Sequence, residues 1–530
     1  MRFARSQERY RSRVPTRSWL ACVMLLGCSG SEPAEIAIHW DQPLAKVTPR
    51  LLGHNAVWSR GGLGIWDETS HAVRPDVDAL VTDLRPGVLR FPGGTRAMAY
   101  HFDETIGPYA DRKPQCDTFT GQLDATTWGM DEALRYAEQH GAAVTLVTPW
   151  YDGTPERAAA MVAYANADPS STVAIGVDAN GRDWGTAGDW AARRASNGHA
   201  APYHAPFVEI GNEQYISAAT GKTVCGTDHA YTQSERLENG TYIPSTARDV
   251  AQQVSKAARL IKLVDPTILV GAPALTDVLG IEMDPATAVS DVDKNMGTGD
   301  AWNPTLLALA GADFDFFVLH IYDFTSQPTR VRLADTLAQT INQLRTLGGM
   351  QSFAVTEFGT LFDSDTQLNA LISADFVRVA AEQGILANLR HILIEDEPSG
   401  LFATSAAILG ADHTLTPAYH AVAALAATLQ PVAVAWDSPV PEVVVLATRD
   451  DATKTLGIAV IDRRLEKTPV DLALPLPPGH WHGTQTIQAA AELTDTDISR
   501  DTTDVDATGK LTFTLPANGL VVVQLSQFDT

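Results

Sequence analysis

Between about residues 46 and 425, short apolar runs alternate with longer amphipathic stretches, and this alternation constrains the fold more than any other feature of the chain. The runs cover residues 51–55, 87–91, 143–147, 207–210, 267–271, 314–319, 352–355 and 391–394. Each is short and nearly continuous in its apolar character, which suits parallel strands covered on both faces. Residues 131–139, 155–164, 247–264, 331–347 and 367–383 carry helical periodicity between them. Eight strands in strand–helix alternation predict an α/β fold, a (β/α)8 TIM barrel with insertions. A doubly wound open sheet is the rival, but no Gly-rich dinucleotide loop follows any of the runs. Phe91-Pro92-Gly93-Gly94 lacks the spacing, and the Lys or helix start, of a phosphate cradle.

After about residue 428 the texture changes. Residues 443–447, 455–461, 470–474, 511–515 and 519–525 read as short strands parted by polar turns, which predicts a C-terminal all-β sandwich. Glu35-Ile36-Ala37-Ile38-His39-Trp40, ahead of the barrel, is able to add an N-terminal strand to it. The expected division is a leader over 1–27, a tether and strand over 28–45, the barrel over 46–427 and the sandwich over 428–530.

The leader has its own chemistry. Six Arg and one Glu fall within residues 1–17, an apolar stretch runs over 19–26, and Leu25-Leu26-Gly27-Cys28 follows. A basic segment, a short apolar segment and a small residue before the cut are the parts of a signal peptide. The final four residues resemble a bacterial lipobox, in which Cys28 is acylated and becomes the first residue of the mature chain. The expectation is a bacterial cell-envelope protein held at a membrane by its N-terminal lipid, or otherwise secreted. No run of eighteen apolar residues comes later, so no spanning helix is expected. Cys116 and Cys225 are then the two remaining thiols; in an oxidising compartment they can pair, and the sequence equally allows them to stand apart. Two Cys make no zinc site and no HExxH or clustered His pattern is present, so no metal is expected.

Charge narrows the partners. Against 39 Lys and Arg stand 63 Asp and Glu, a formal net charge of −24. Such a field repels phosphates, so nucleic acid is a poor partner and a neutral ligand a better one. Eleven Trp and twelve Tyr suit sugar-stacking surfaces, although a core would use them equally well.

In a barrel of this kind the chemistry sits where strands end. Two strand ends carry a Glu: Glu213, in Phe207-Val208-Glu209-Ile210-Gly211-Asn212-Glu213, and Glu357, in Phe353-Ala354-Val355-Thr356-Glu357. A lone Glu there is commonly a salt-bridge partner. A pair, at strands four and seven, is what glycosidic-bond hydrolysis with retention needs: one carboxylate attacks the anomeric carbon, the other protonates the leaving oxygen and then activates water.

With these residues in place the chain resembles the clan A glycoside hydrolases, and most of all the family 51 α-L-arabinofuranosidases. Asn212-Glu213 resembles the clan's acid/base signature and Glu357 its nucleophile. Leu89-Arg90-Phe91-Pro92-Gly93-Gly94 is similar to the family's second-strand motif, and Ile106-Gly107-Pro108 follows it as in the family. Gly129-Met130-Asp131-Glu132-Ala133-Leu134, Asp189-Trp190 through Gly198-His199, His320-Ile321-Tyr322 and Thr416-Pro417-Ala418-Tyr419 complete an ordered set over most of residues 50–425. The resemblance implies a carbohydrate substrate, no cofactor, and Glu357 and Glu213 as nucleophile and acid/base. It also implies that Arg90 holds Glu357 ionised, Tyr322 donates to it, His320 orients the sugar or a carboxylate, and Asn212 bonds the hydroxyl beside the reacting carbon. A core His or Tyr satisfied by its neighbours is the plainer reading of His320 and Tyr322. Oligomers occur with this resemblance, but a tethered enzyme need not share them.

The match thins around the sugar pocket. Where the family has an acidic residue after strand one, this chain has Gly53-His54-Asn55-Ala56-Val57-Trp58, with Asn55 as the candidate replacement. After strand three stands Thr148-Pro149-Trp150-Tyr151 instead of Asn and Gly, with Trp150 a candidate sugar contact, and Phe358 follows the nucleophile in place of Trp. The expected activity is a retaining, exo-acting α-L-arabinofuranosidase; the alternatives are the same mechanism on a β-xyloside, β-glucoside or β-glucuronide, and a non-catalytic glycan-binding lipoprotein. Glu395-Asp396-Glu397, placed at the end of strand eight, reads more readily as a solvated acidic loop than as part of the pocket. Residues 217–245 read as an insertion after strand four that could roof the cleft.

Overall fold

The computed structural model describes residues 32–217, 222–276, 284–323, 327–360, 365–395, 406–409 and 412–528. Cys28 and the leader, and Asp396 and Glu397 of the acidic run, lie outside the described residues.

Eight parallel strands form the barrel: Gly53–Asn55, Val88–Phe91, Ala143–Thr148, Phe207–Ile210, Leu269–Pro273, Phe316–Asp323, Ser352–Thr360 and Leu389–Arg390. They neighbour one another in chain order, and the eighth pairs with the first through Leu389 opposite Gly53. The ring is completed between strands seven and eight, where the N–H of Val355 donates to the carbonyl of Ala387 at 3.0 Å and Val355 faces Asn388 in parallel register. Helices start where the sequence supplies caps: Thr154 accepts from Arg157 N–H and Thr416 from Tyr419 N–H, each with a Pro in the first turn, and Thr246 accepts from Asp249 N–H at the start of Ala247–Val264.

One expectation needs correction. The eighth strand is Leu389–Arg390, and the run at 391–394 has already left the barrel; Ile394–Glu395 instead pairs with Ile408–Leu409 in a small separate sheet. Ile392, Leu393 and Ile394 are all buried. Their apolarity reports burial, which a covered segment above the strands satisfies as well as a strand does.

The C-terminal sheet closes on itself through the N-terminus. Ala34–Glu35 pairs in parallel with Val470–Ala489, while Ala37–Lys46 pairs antiparallel with Val432–Asp437, so one segment joins both ends of the sheet path. Ile36, between them, is fully buried. The middle strands of this sheet are apolar on both faces, for a reason that the period-2 alternation makes plain. Val443, Val445, Ile458, Val460, Val521 and Val523 fill the sandwich's own core. Val444, Leu446, Ala459, Ile461, Leu520 and Val522 point the other way and join the core of the barrel. The surface they cover includes Gln367–Gln383, a helix buried over most of its length. Polar contacts pin the same seam: Gln488 donates to Gln367 Oε1 at 2.9 Å, and Arg463 lies 2.9 Å from Asp375 and 2.7 Å from Asp335.

Candidate active site

Strand alternation decides which side chains enter the barrel. Val88, Phe207, Phe316, Ala354 and Leu389 form an apolar floor. Two residues further along their strands, Arg90 and Glu209 point the same way and meet, with Arg90 Nε 3.0 Å from Glu209 Oε2. Both are fully buried, so each ion has taken the other as its replacement for water. Arg90 then reaches upward: Nη1 donates to Asn55 Oδ1 at 2.9 Å and to Glu357 Oε1 at 2.5 Å, and Nη2 donates to Asn212 Oδ1 at 2.8 Å.

A register shift brings Glu357 in. Leu319 faces Val355, but the next residue, His320, faces Glu357 rather than Thr356. This bulge in the pairing allows both Thr356 and Glu357 to bond inward: Thr356 Oγ1 lies 3.0 Å from His320 Nε2 and 3.3 Å from Glu209 Oε2. Tyr322, two residues past His320, donates to Glu357 Oε2 at 2.6 Å. His320 stands between the two carboxylates, Nδ1 being 2.9 Å from Glu213 Oε1 and 3.7 Å from Glu357 Oε2.

Glu213 arrives by a turn. Strand four ends at Ile210, Gly211 takes a φ of +73°, and Glu213 itself sits at +47°, a conformation that costs a side-chain-bearing residue energy and that marks functional turns. A Cβ on Gly211 would lie 2.0 Å from Gln214 Nε2, so at this positive φ any larger residue is strained and must push that amide aside. Across the cleft, a Cβ on Gly94 would fall 2.4 Å from Glu357 Oε1. The Gly93-Gly94 pair, which is no phosphate cradle, therefore leaves room beside a carboxylate.

The electrostatics follow from these contacts. Burial by itself would raise the Glu357 carboxyl, but His320, Arg90 and the Tyr322 hydroxyl outweigh it and hold the group down at about 2. Burial opposes a charge on His320, and the Glu357 and Glu213 carboxylates more than offset that, raising it. Tyr322 is driven well above its ordinary range by burial and by the same two carboxylates, so it remains a donor. Among the described residues, Glu213, His320 and Glu357 form the only cluster with ligand atoms close enough to share a cation, all within 4.8 Å of one another. Arg90 already places a fixed positive charge against Glu357 there.

The structure thus brings together Glu213, Glu357, Arg90, Asn212, His320, Tyr322 and Asn55. Trp150 stands apart: its indole N–H donates to Ser245 Oγ at 2.8 Å and its ring is buried against the strap that follows strand four. Cys116 and Cys225 are joined in a disulfide, with Cα atoms 5.6 Å apart. Glu395 is not part of a solvated loop: it is buried and pairs with Arg60 at 3.0 Å. The sequence does not show this, because the cation that Glu395 meets comes from the loop after strand one, far away in sequence.

Two participants had not been singled out from sequence. Glu209 carried a usable signal, since a carboxylate in the middle of a buried apolar strand demands a cation. Gln233 carried none. It lies in the inserted segment, where its Nε2 donates to Glu213 Oε2 at 3.2 Å and its Oε1 accepts from Asn212 Nδ2 at 2.8 Å.

A parallel barrel with two buried glutamates at the ends of its fourth and seventh strands has the form of a glycoside hydrolase. Comparison with known proteins narrows the likeness. Residues 80–231 match the family model described as Alpha-L-arabinofuranosidase 1 domain. The chain is 25% identical over 247 residues to Alpha-L-arabinofuranosidase C of Emericella nidulans, covering 45% of this chain and 41% of that one. It is 26% identical over 315 residues to an intracellular exo-alpha-(1->5)-L-arabinofuranosidase of Bifidobacterium longum, covering 57% of this chain and 45% of that one. The matches therefore span less than half the length of these curated relatives. Among solved structures, a family 51 α-L-arabinofuranosidase from Bifidobacterium longum superposes with a TM-score of 0.70 at 19% identity, over 93% of this chain and 100% of that one. The arabinose complex of the Thermotoga maritima α-L-arabinofuranosidase gives 0.67 at 17% identity, with the same coverage. The fold is theirs: a (β/α)8 barrel followed by a β-sandwich. By sequence the chain is similar to α-L-arabinofuranosidases, and its fold is that of the family 51 structures.

Proposed function

We propose that the protein is a retaining α-L-arabinofuranosidase, exo-acting and held at the cell envelope of a bacterium by a lipid on Cys28. The observation that carries the reaction class is the pair Glu213 and Glu357, whose nearest carboxylate oxygens lie within 4.8 Å. Carboxyl groups about 5–5.5 Å apart suit double displacement, whereas inversion needs room for a water between them. Glu357, kept ionised by Arg90, attacks the anomeric carbon while Glu213 gives its proton to the departing glycosidic oxygen. A covalent glycosyl ester on Glu357 results. Glu213, now a carboxylate, takes a proton from water, which attacks the same carbon and returns Glu357 as leaving group. Tyr322 and Arg90 hold the two nucleophile oxygens from opposite partners, so one trajectory is prepared before substrate arrives.

The sugar rests on the relatives, and one observation favours a second reading with the same mechanism on another glycoside. Both N–H groups of Asn55 point to backbone carbonyls, of Thr356 at 2.7 Å and Arg390 at 3.4 Å, while its oxygen faces Arg90. It offers a sugar no carboxylate where arabinofuranosidases of the family have one.

Hydrolysis of 4-nitrophenyl α-L-arabinofuranoside, beside the β-xyloside, β-glucoside and β-glucuronide, tests both readings. Activity on the arabinofuranoside, lost in Glu213→Ala and Glu357→Ala, is the expected result, with azide restoring turnover to Glu357→Ala as the inverted glycosyl azide. Activity confined to another glycoside replaces the sugar and keeps the site. Glycan binding without turnover on any of them overturns the enzyme reading. Metabolic labelling with a radioactive fatty acid, lost in Cys28→Ala, tests the anchor; an unlabelled wild type refutes it.

A further inference from the structure

The segment after strand four is anchored more heavily than a surface loop needs to be. Cys225 is bonded to Cys116 in the hairpin after strand two, and Tyr231, fully buried, donates its N–H to the carbonyl of Lys222 at 2.9 Å. Further on, Glu235–Glu238 and Thr241–Pro244 form a hairpin, with Arg236 gripping both oxygens of Asp249 at 3.0 and 2.9 Å on helix Ala247–Val264. Trp150 and Tyr151, from the loop after strand three, bond to Ser245 and Tyr242 of the same strap. Between the disulfide and the hairpin lies Gln233, only 6% exposed.

Gln233 uses both ends of its amide. The N–H end donates to Glu213 and the carbonyl end accepts from Asn212, the residue before it. Thr95, next to the glycine that makes room for Glu357, lies 3.4 Å from that same carbonyl oxygen. The other oxygen of Glu213 faces His320. One carboxylate is therefore gripped from the barrel by His320 and from the strap by Gln233, on a backbone in the left-handed region.

We propose that Gln233 is a positioning residue for the acid/base: it fixes the rotation of the Glu213 carboxyl so that one oxygen is presented to the leaving group, and the cross-linked strap exists to hold it there. This rests on the reading of Glu213 as acid/base. Its signature is dependence on the leaving group. A general acid contributes about 10²–10⁴-fold where the departing oxygen needs a proton, and almost nothing where it departs as a stable anion.

The test compares kcat/KM of the full mature chain on a methyl and on a 2,4-dinitrophenyl α-L-arabinofuranoside, for wild type, Gln233→Met and Gln233→Ala. Gln233→Met keeps the side-chain volume and removes both hydrogen bonds, so it guards against loss of fold in the alanine variant. Expected is a loss of about tenfold or more on the methyl glycoside with less than about threefold on the dinitrophenyl one. Equal losses on the two substrates, or no loss on either, with an active wild type, overturn the positioning role. A wild type inert on both substrates overturns the functional reading itself, and the inference falls with it.

Discussion

Arg90 Nη1 stands 2.5 Å from Glu357 Oε1, and neither side chain meets appreciable water, at 0% and 7% exposure. The same guanidinium also neutralises Glu209 from below. One cation thus serves two carboxylates, and its five N–H groups, fixed in a plane, reach Asn55 and Asn212 as well.

Lysine cannot reproduce that fork. Arg90→Lys is expected to lower kcat/KM on an aryl glycoside by at least about a hundredfold and to reduce folding stability by about 3 kcal/mol, since Glu209 and Glu357 would be left short of partners. Steady-state kinetics and urea unfolding check the two effects separately.

Gly94→Ala should injure catalysis more than folding. The new methyl would sit 2.4 Å from Glu357 Oε1 and 3.4 Å from Asn212 Oδ1, forcing the carboxylate to turn. A displacement of that size is expected to lower kcat by about a hundredfold, with a melting temperature close to wild type.

His101 gives a pH dependence with a definite sign. It lies 2.7 Å from Asp152 and 3.4 Å from Glu104. Burial opposes its charge, and hydrogen bonds to these two carboxylates raise it to about 9 from an ordinary 6.5. A group whose folded pKa is raised contributes stability that is complete below its unfolded value and is lost as pH climbs through the folded one. His101→Gln should therefore lower the melting temperature below pH 6.5 and make little difference well above pH 9. Melts of both proteins across that range show whether the gap closes.

The disulfide joins two Cys that stand 109 positions apart in sequence. Cys116→Ser with Cys225→Ser is expected to cost about 2–4 kcal/mol in denaturant unfolding, chiefly by freeing the unfolded chain. Limited proteolysis of the same variant should cut first within the strap that carries Gln233, a site protected in wild type.

The sandwich should prove inseparable from the barrel. Truncation before residue 428 uncovers helix Gln367–Gln383, most of whose residues are buried, and takes Arg463 away from Asp375. The truncated chain is expected to aggregate or to lack a cooperative melt, as gel filtration and calorimetry would show.

How much of this was legible beforehand divides along physical lines. The barrel could be read because parallel strands buried on both faces must be apolar throughout, and the helix Gln367–Gln383 matched its expected limits residue for residue. That Glu213 and Glu357 fall at strand ends could be read because a strand end is fixed by the local sequence. The eighth strand cannot be placed from sequence, because the buried run at 391–394 and a true strand present the same apolar string.

What the chain alone determined is alternation: which residues lie in strands, which start helices, and hence that Arg90 faces inward two places after Val88. Only the tertiary structure decided that Glu209 would be its partner, that Glu395 would find Arg60, that Cys116 would meet Cys225, and that Gln233 would arrive over Glu213. These are contacts between segments far apart in sequence, set by how loops close over a finished barrel. Periodicity reports the direction in which a side chain leaves its own strand; it carries no information about which distant loop comes to meet it.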